Sequence, residues 1–255
     1  MDARDESARP QPAPGVRPIV GYLHAPDGVP PRVGRSWDII TAGDGVWLAA
    51  DNPALSLRVP VAPCHIRGLA PIGPACELRH GPVPQACWDE AVMLFRWHAA
   101  RGHEFLVLVM LDVHGAYRLV APWQTPTPSR VEYEHPDGLG LPVVHLHSHH
   151  AMCAFFSATD DADERGLALY GVVGRLDTAE PEVALRAGAF GHWLPLPWSR
   201  VFAGGRGPFR DLVADADTAR GVRSDAAAGR GARPHRAFLP AWLHRLAVAR
   251  DLRRP

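Results

Sequence analysis

The stretch that most constrains the fold is Phe105-Leu106-Val107-Leu108-Val109-Met110-Leu111, the longest purely apolar run in the chain. It is far short of the ~20 residues that a membrane span needs, and its length and composition predict a buried strand. Just before it, Cys87 to Arg101 carries apolar residues at Val92, Leu94, Phe95, Trp97 and Ala99, which predicts a helix. Gly102 stops that helix, and Glu104 then opens the strand. A buried strand needs cover on its faces, so strands mixed with helices point to an α+β layer structure.

A second strand is predicted at Leu141-Pro142-Val143-Val144, and it runs into a histidine-rich stretch that ends with Ser157 and Asp160. Residues i and i+2 of a strand share a face, so His147 and His149 can aim their imidazoles at one point. Neutral imidazole is the commonest metal ligand, and two that converge supply half of a tetrahedral zinc shell. Ser157-x-x-Asp160 has capping-box spacing and predicts a helix N-terminus. A strand, a loop and a capped helix can return Asp160 to the two histidines as a third ligand. The fourth position then stays open for water, as in a catalytic zinc site. His145 shares the strand face one pleat back and fits an outer or core role better than a ligand. His150 points the opposite way and is excluded. Cys153 offers an unneeded thiolate in the intervening loop.

His147-Ser148-His149-x7-Ser157-x2-Asp160 resembles the metal-binding motif of the JAB/MPN metallopeptidases, the JAMM motif. The resemblance runs from about Trp88 to Phe202. It implies a JAB/MPN-like (cytidine-deaminase-like) mixed sheet with flanking helices, and a zinc peptidase or isopeptidase of the deubiquitinase class. On that resemblance His147, His149 and Asp160 hold Zn2+, Glu104 is the general base, and Ser157 donates to the oxyanion. Two departures stand out: His150 replaces a frequent proline, and Phe105 to Leu111 replaces a glycine-rich pattern after the glutamate. Within the superfamily, the runs His147 to His150, Ala154 to Glu164 and Leu169 to Asp177 look most like the PRTRC system protein A branch, from a bacterial mobile-element cassette. That cassette also encodes ThiF-related and ParB-related proteins. The resemblance therefore implies a ubiquitin-like protein as substrate and a ThiF-related activating enzyme as partner.

Upstream, residues 18–84 read as a small antiparallel β module. Runs at Ile19 to Leu23, Trp37 to Ile40, Val46 to Ala50 and Leu55 to Val59 are separated by the turn dipeptides Asp27-Gly28, Asp44-Gly45 and Asn52-Pro53. Its histidines His24 and His65 are isolated, and the proline-interrupted stretch from Pro60 to Pro84 reads as a connector. The metallopeptidase-like unit then spans 85–203. After its first strand, Asp112 to Ala116 predicts a hairpin turn, Pro122 to Pro128 a loop, and Leu167 to Leu176 a further strand. Glu182 to Ala189 and Gly191 to Leu196 suggest a closing hairpin.

Residues 1–17, rich in proline and charge, read as a disordered leader with no apolar signal segment. Residues 204–255 hold eleven arginines and five aspartates in a chain of zero formal net charge. There, Thr218 to Arg236 reads as disordered, and Phe238 to Arg250 as a short amphipathic helix that covers the chain's own body or docks a partner. No recognition motif accompanies the modest charge, so nucleic acid is not expected. Four cysteines without C-x-x-C spacing suggest a reducing compartment, a bacterial cytoplasm. All 27 basic residues are arginine, which a GC-rich genome explains.

Overall fold

The computed structural model describes residues 18–126, 131–134, 136 and 138–215. The expected leader, and the arginine-rich tail from residue 216 onward with its amphipathic helix, lie outside the described residues, whereas the first part of that tail is described and adds Phe209 to the core.

The N-terminal sheet has the order β1-β2-β3-β4-β5, formed by Val20–His24, Trp37–Ala42, Gly45–Asp51, Leu55–Ala62 and Ala75–Leu78. Two of its turns, at Asp44-Gly45 and Asn52-Pro53, fall where the sequence put them; Asn52 Oδ1 accepts from Ala54 N–H and Leu55 N–H, both at 2.8 Å. Two expectations are corrected. The first pair is parallel, since β1 runs beside β2 in register from Val20 opposite Trp37. Asp27-Gly28 is therefore no hairpin turn, and the chain runs on through 25–36 to return to the same end of the sheet. Asp38, fully buried, pins that return by accepting from Arg32 Nε at 2.8 Å and Gly34 N–H at 2.6 Å. The proline-rich connector also contributes structure: β4 runs on to Ala62, and β5 pairs antiparallel with β4.

Gln85–Ala99 forms α1, starting two residues before the expected Cys87 because Pro84 precedes its first turn. It buries Cys87, Trp88, Ala91 and Phe95, whereas Trp97 is 53% exposed. Gly102 takes φ 69°, a value open to glycine, and ends the helix region. The apolar run becomes β6, Leu106–Leu111, with every residue buried. Next come β7 (Tyr117–Val120), the short ribbon of β8 (Gln124–Pro126) with β9 (Val131–Tyr133), and β10 (Leu141–Ser148). The expected loop after Pro122 thus holds a strand. Ala158–Asp163 is α2, followed by β11 (Leu167–Gly174), β12 (Glu182–Ala189), β13 (His192–Leu196) and β14 (Arg210–Asp211). The large sheet has the order β13-β12-β11-β10-β6-β7, with β14 beside β12. Few helices on mixed sheets make this an α+β fold with a β-rich N-terminal part.

Two features of β10 decide where chemistry can occur. It is antiparallel to β6 but parallel to β11. A parallel pair needs a crossover, so the chain leaving Ser148 must travel back over the sheet before β11 begins. That crossover carries α2. Pro142 sits in β10 beside a register shift and before pairing with β11 starts at Val144, so its missing N–H breaks no ladder there.

One face of the large sheet is apolar and closes the core. Val107, Val109, Val144, Leu146, Leu169 and Leu185 join Trp88 and Phe95 of α1 and Leu48, Leu55 and Val59 of the N-terminal sheet in a single buried cluster. Each large side chain so buried contributes about 1.5–3 kcal/mol. The opposite face carries His145 and His147. Among the described residues no helix is long and apolar enough to cross a membrane.

Candidate metal centre

His147 leaves the end of β10 on the face away from α1, between Val172 of β11 and Leu106 of β6. His149 follows past the strand end, held by its N–H to Val173 O at 2.8 Å. Its ring Nδ1 lies 3.3 Å from the Cys153 carbonyl oxygen. A carbonyl only accepts, so that contact puts the proton on Nδ1 and leaves the Nε2 lone pair free to ligate. Phe155 packs edge-on against the ring at 4.8 Å. Gly174 permits the loop that does this, because a Cβ there would meet Ala154 N and Met152 O at 2.4 Å.

Asp160 arrives from the crossover. Ser157 caps α2 through a full capping box: its Oγ accepts from Asp160 N–H at 3.2 Å, and its own N–H donates to Asp160 Oδ2 at 2.6 Å. One carboxylate oxygen is thereby fixed by the backbone, and the other, Oδ1, stands 3.5 Å from His147 Nε2. The two histidine Nε2 atoms are 3.2 Å apart. All three ligand atoms fall within 4.8 Å of one another, and no other such group occurs among the described residues.

This donor set fits a divalent zinc. Nitrogens bound at about 2.0–2.1 Å to a tetrahedral zinc lie about 3.3–3.4 Å apart, close to the observed spacing. Protonation states agree with ligation. Burial lowers the pKa of His147, against the pull of the Asp160 carboxylate, and burial likewise lowers that of His149. Both imidazoles are thus neutral, the form a metal needs.

Glu104 is 5% exposed and lines the same cleft, a cavity of about 720 Å³. Burial pushes its carboxyl up to about 7, and the nearby Asp160 charge adds to the shift. A carboxyl poised there can accept and release a proton near neutrality. Met152 and Phe155 form an apolar lip on the cleft, while His145, Tyr133 and Tyr170 extend it along the sheet. His145 belongs to that extension, with its Nδ1 3.4 Å from the Tyr133 hydroxyl, and is not among the three ligand residues. His150 turns the chain at φ 35°, which a proline ring cannot adopt. Cys153 is exposed and meets His149 through its carbonyl, with no thiolate in the ligand group.

Other residues that build the site carry no local signal in the sequence. Ser148, fully buried between the two histidines, accepts from Phe105 N–H through Oγ at 3.1 Å and donates its own N–H to Phe105 O at 2.9 Å. It therefore ties the strand of the ligands to the residue after Glu104. Gln124 does the same from the other side: its amide closes on Leu106 N–H at 2.9 Å and Leu106 O at 2.8 Å, where β7 no longer reaches. Glu182 accepts from Ala154 N–H at 3.1 Å and pairs with Arg175 and Arg210, fixing the loop below His149. Ser148→Ala should leave the buried Phe105 N–H without its acceptor, which costs about 1–3 kcal/mol. Urea unfolding reads this directly, and an unchanged midpoint would contradict the role given to Ser148.

No curated protein matches the chain. Residues 83–188 match the family model described as prokaryotic homologs of the JAB domain, a span that includes Glu104, His147, His149, Ser157 and Asp160. That match supports the JAB/MPN superfamily as the home of the domain that carries this site.

Proposed function

We propose that the chain is a zinc-dependent metallo-(iso)peptidase that hydrolyses a peptide or isopeptide bond at the C-terminal tail of a ubiquitin-like protein. The observation that carries the reading is the convergence of His147, His149 and Asp160 beside a buried Glu104 in one open cleft. Zinc held there would supply Lewis acidity, polarising a carbonyl and making water more acidic. His147 and His149 present neutral imidazoles to it, and Asp160 a carboxylate oxygen. Glu104 accepts the proton of the attacking water and later returns it to the leaving amine. Ser157 accepts from Asp160 N–H, which leaves its hydroxyl proton available to the developing oxyanion; such a donor is worth about 10²–10³ in rate. The similarity of the motif to the PRTRC system protein A branch supports a ubiquitin-like substrate and a ThiF-related partner in a bacterial cytoplasm.

A fusion of the cassette's ubiquitin-like protein to a C-terminal reporter tests the reading. The expected result is cleavage after the tail, abolished by a zinc chelator and restored by zinc. An intact fusion that is nevertheless bound equally by wild type and His147→Ala would make the protein a non-catalytic scaffold for such partners.

A further inference from the structure

We infer that Arg186 is a positioning residue for the metal centre: by clamping both ends of α2 it sets where Asp160 stands. The inference rests on the zinc reading above. Asp160 is the one ligand that does not come from β10 or its immediate continuation. It rides on α2, a helix of six residues with no buried side chain. Isolated helices shorter than ~12–15 residues are marginal in water, and most helical stability in proteins comes from a packed apolar face. This helix has none, so its position must be set by something else.

Arg186 supplies the anchor from the sheet beneath. It stands on β12 opposite Tyr170, which in turn is opposite His145, so the three share the face that bears His147. The side chain is buried, at 8% exposure. Its Nε donates to Glu164 Oε2 at 2.7 Å, with Nη2 in ion-pair contact at 2.5 Å but not hydrogen-bonded, and its Nη1 donates to Asp161 Oδ1 at 2.7 Å. The guanidinium plane covers the Phe156 ring at 3.7 Å and lies 4.7 Å from the Trp193 ring. Phe156 precedes the cap, Asp161 follows the ligand, and Glu164 ends the helix. One guanidinium therefore holds α2 before, beside and after Asp160. The ligand's own Oδ2 is tied to the Ser157 backbone within the same unit, so helix and carboxylate move as one body.

The contacts need a planar, multiply donating cation that stacks on an aromatic face, which lysine cannot replace. Zinc affinity, read by competition with a chromophoric chelator, should fall about 10–100-fold in Arg186→Met, the range for losing a residue that orients a ligand. Arg186→Lys should recover only part of it, because the charge returns without the fork. The visible bands of the cobalt-substituted protein should change in both variants, reporting a shifted carboxylate ligand. Phe156→Ala removes the platform without altering charge and, should Arg186→Met fail to fold, reads the same loss on a milder change. A purely structural arginine would lower the thermal midpoint of the metal-free protein and leave zinc affinity untouched. Wild-type zinc affinity in Arg186→Met, or in Phe156→Ala where that variant decides, overturns the assignment. Failure of wild type itself to bind zinc would instead overturn the metal reading on which it stands.

Discussion

Glu104→Gln should keep its zinc and its fold and lose about 10²–10⁴ in kcat, the usual contribution of a positioned general base. The amide preserves the size of the side chain and a hydrogen-bonding oxygen, but it takes no proton near neutral pH. Loss of zinc from this variant would make Glu104 a ligand, and full turnover would hand the role to another carboxylate. The same substitution has a stability signature in the metal-free protein. Glu104 titrates at about 7 when folded, against an ordinary value near 4.5. Between those values the folded state holds a proton that the unfolded chain has released, so stability falls as pH rises from about 4.5 through about 7 and is level beyond. Glutamine removes that slope. Urea midpoints of the two metal-free proteins should therefore diverge in favour of the variant on going from pH 5 to pH 8, and parallel profiles would contradict the burial assigned to Glu104.

The parts of the site legible in the sequence share one physical property: their geometry is local. His147 and His149 are two residues apart on a strand, and the capping box spans three residues, so strand pleat and helix turn dictate both arrangements. Glu104 is placed at a strand start by the helix, glycine stop and apolar run that bracket it, but only the resemblance to the JAMM pattern gives it a role. The residues that escaped act across the sheet. Ser148 meets Phe105 through the pairing of β10 with β6, and Gln124 substitutes for a strand partner at Leu106. Arg186 reaches α2 only once β12 has found its place beside β11. No periodicity records such contacts.

The N-terminal sheet shows the same limit from the side of topology. Alternation and turn dipeptides placed its first four strands to within a few residues, since these are properties of four to eight neighbours, and missed β5 in the proline-rich stretch. They do not encode pairing direction. Asp27-Gly28 has the composition of a hairpin turn, yet Asp38 and Arg32 draw the segment beyond it into a parallel return. Which face of α1 is buried is likewise decided from outside its own sequence. Trp88 and Trp97 are the same residue type, yet Arg101 stacks on Trp97 at 3.5 Å in the open, while Trp88 enters the aromatic cluster of Trp198, Phe202 and Phe209. Those three residues lie more than a hundred positions downstream and set which side of α1 is inside.

The largest effect on metal should come from the histidines themselves. His147→Ala and His149→Ala should each abolish the stoichiometric zinc expected of protein purified without added metal. Either change leaves one imidazole and one carboxylate, and the loss should exceed the about 10–100-fold that follows removal of a residue outside the ligand set. The two variants should differ in what else they disturb. His149 is buried and joined to the Cys153 carbonyl and the Phe155 ring, so its truncation opens a cavity and frees the loop between β10 and α2. His147 keeps 14% of its side chain exposed, and the polar partners of its ring among the described residues, His149 and Asp160, converge on the metal position. Without zinc, His147→Ala should therefore lower the urea midpoint by less than His149→Ala does. With zinc added, wild type alone should gain stability, because a ligand that binds only the folded state stabilises it by an amount that grows with the logarithm of its free concentration above Kd. Persistence of stoichiometric zinc in both variants, measured by metal analysis on the purified proteins, would remove His147 and His149 from the ligand set together.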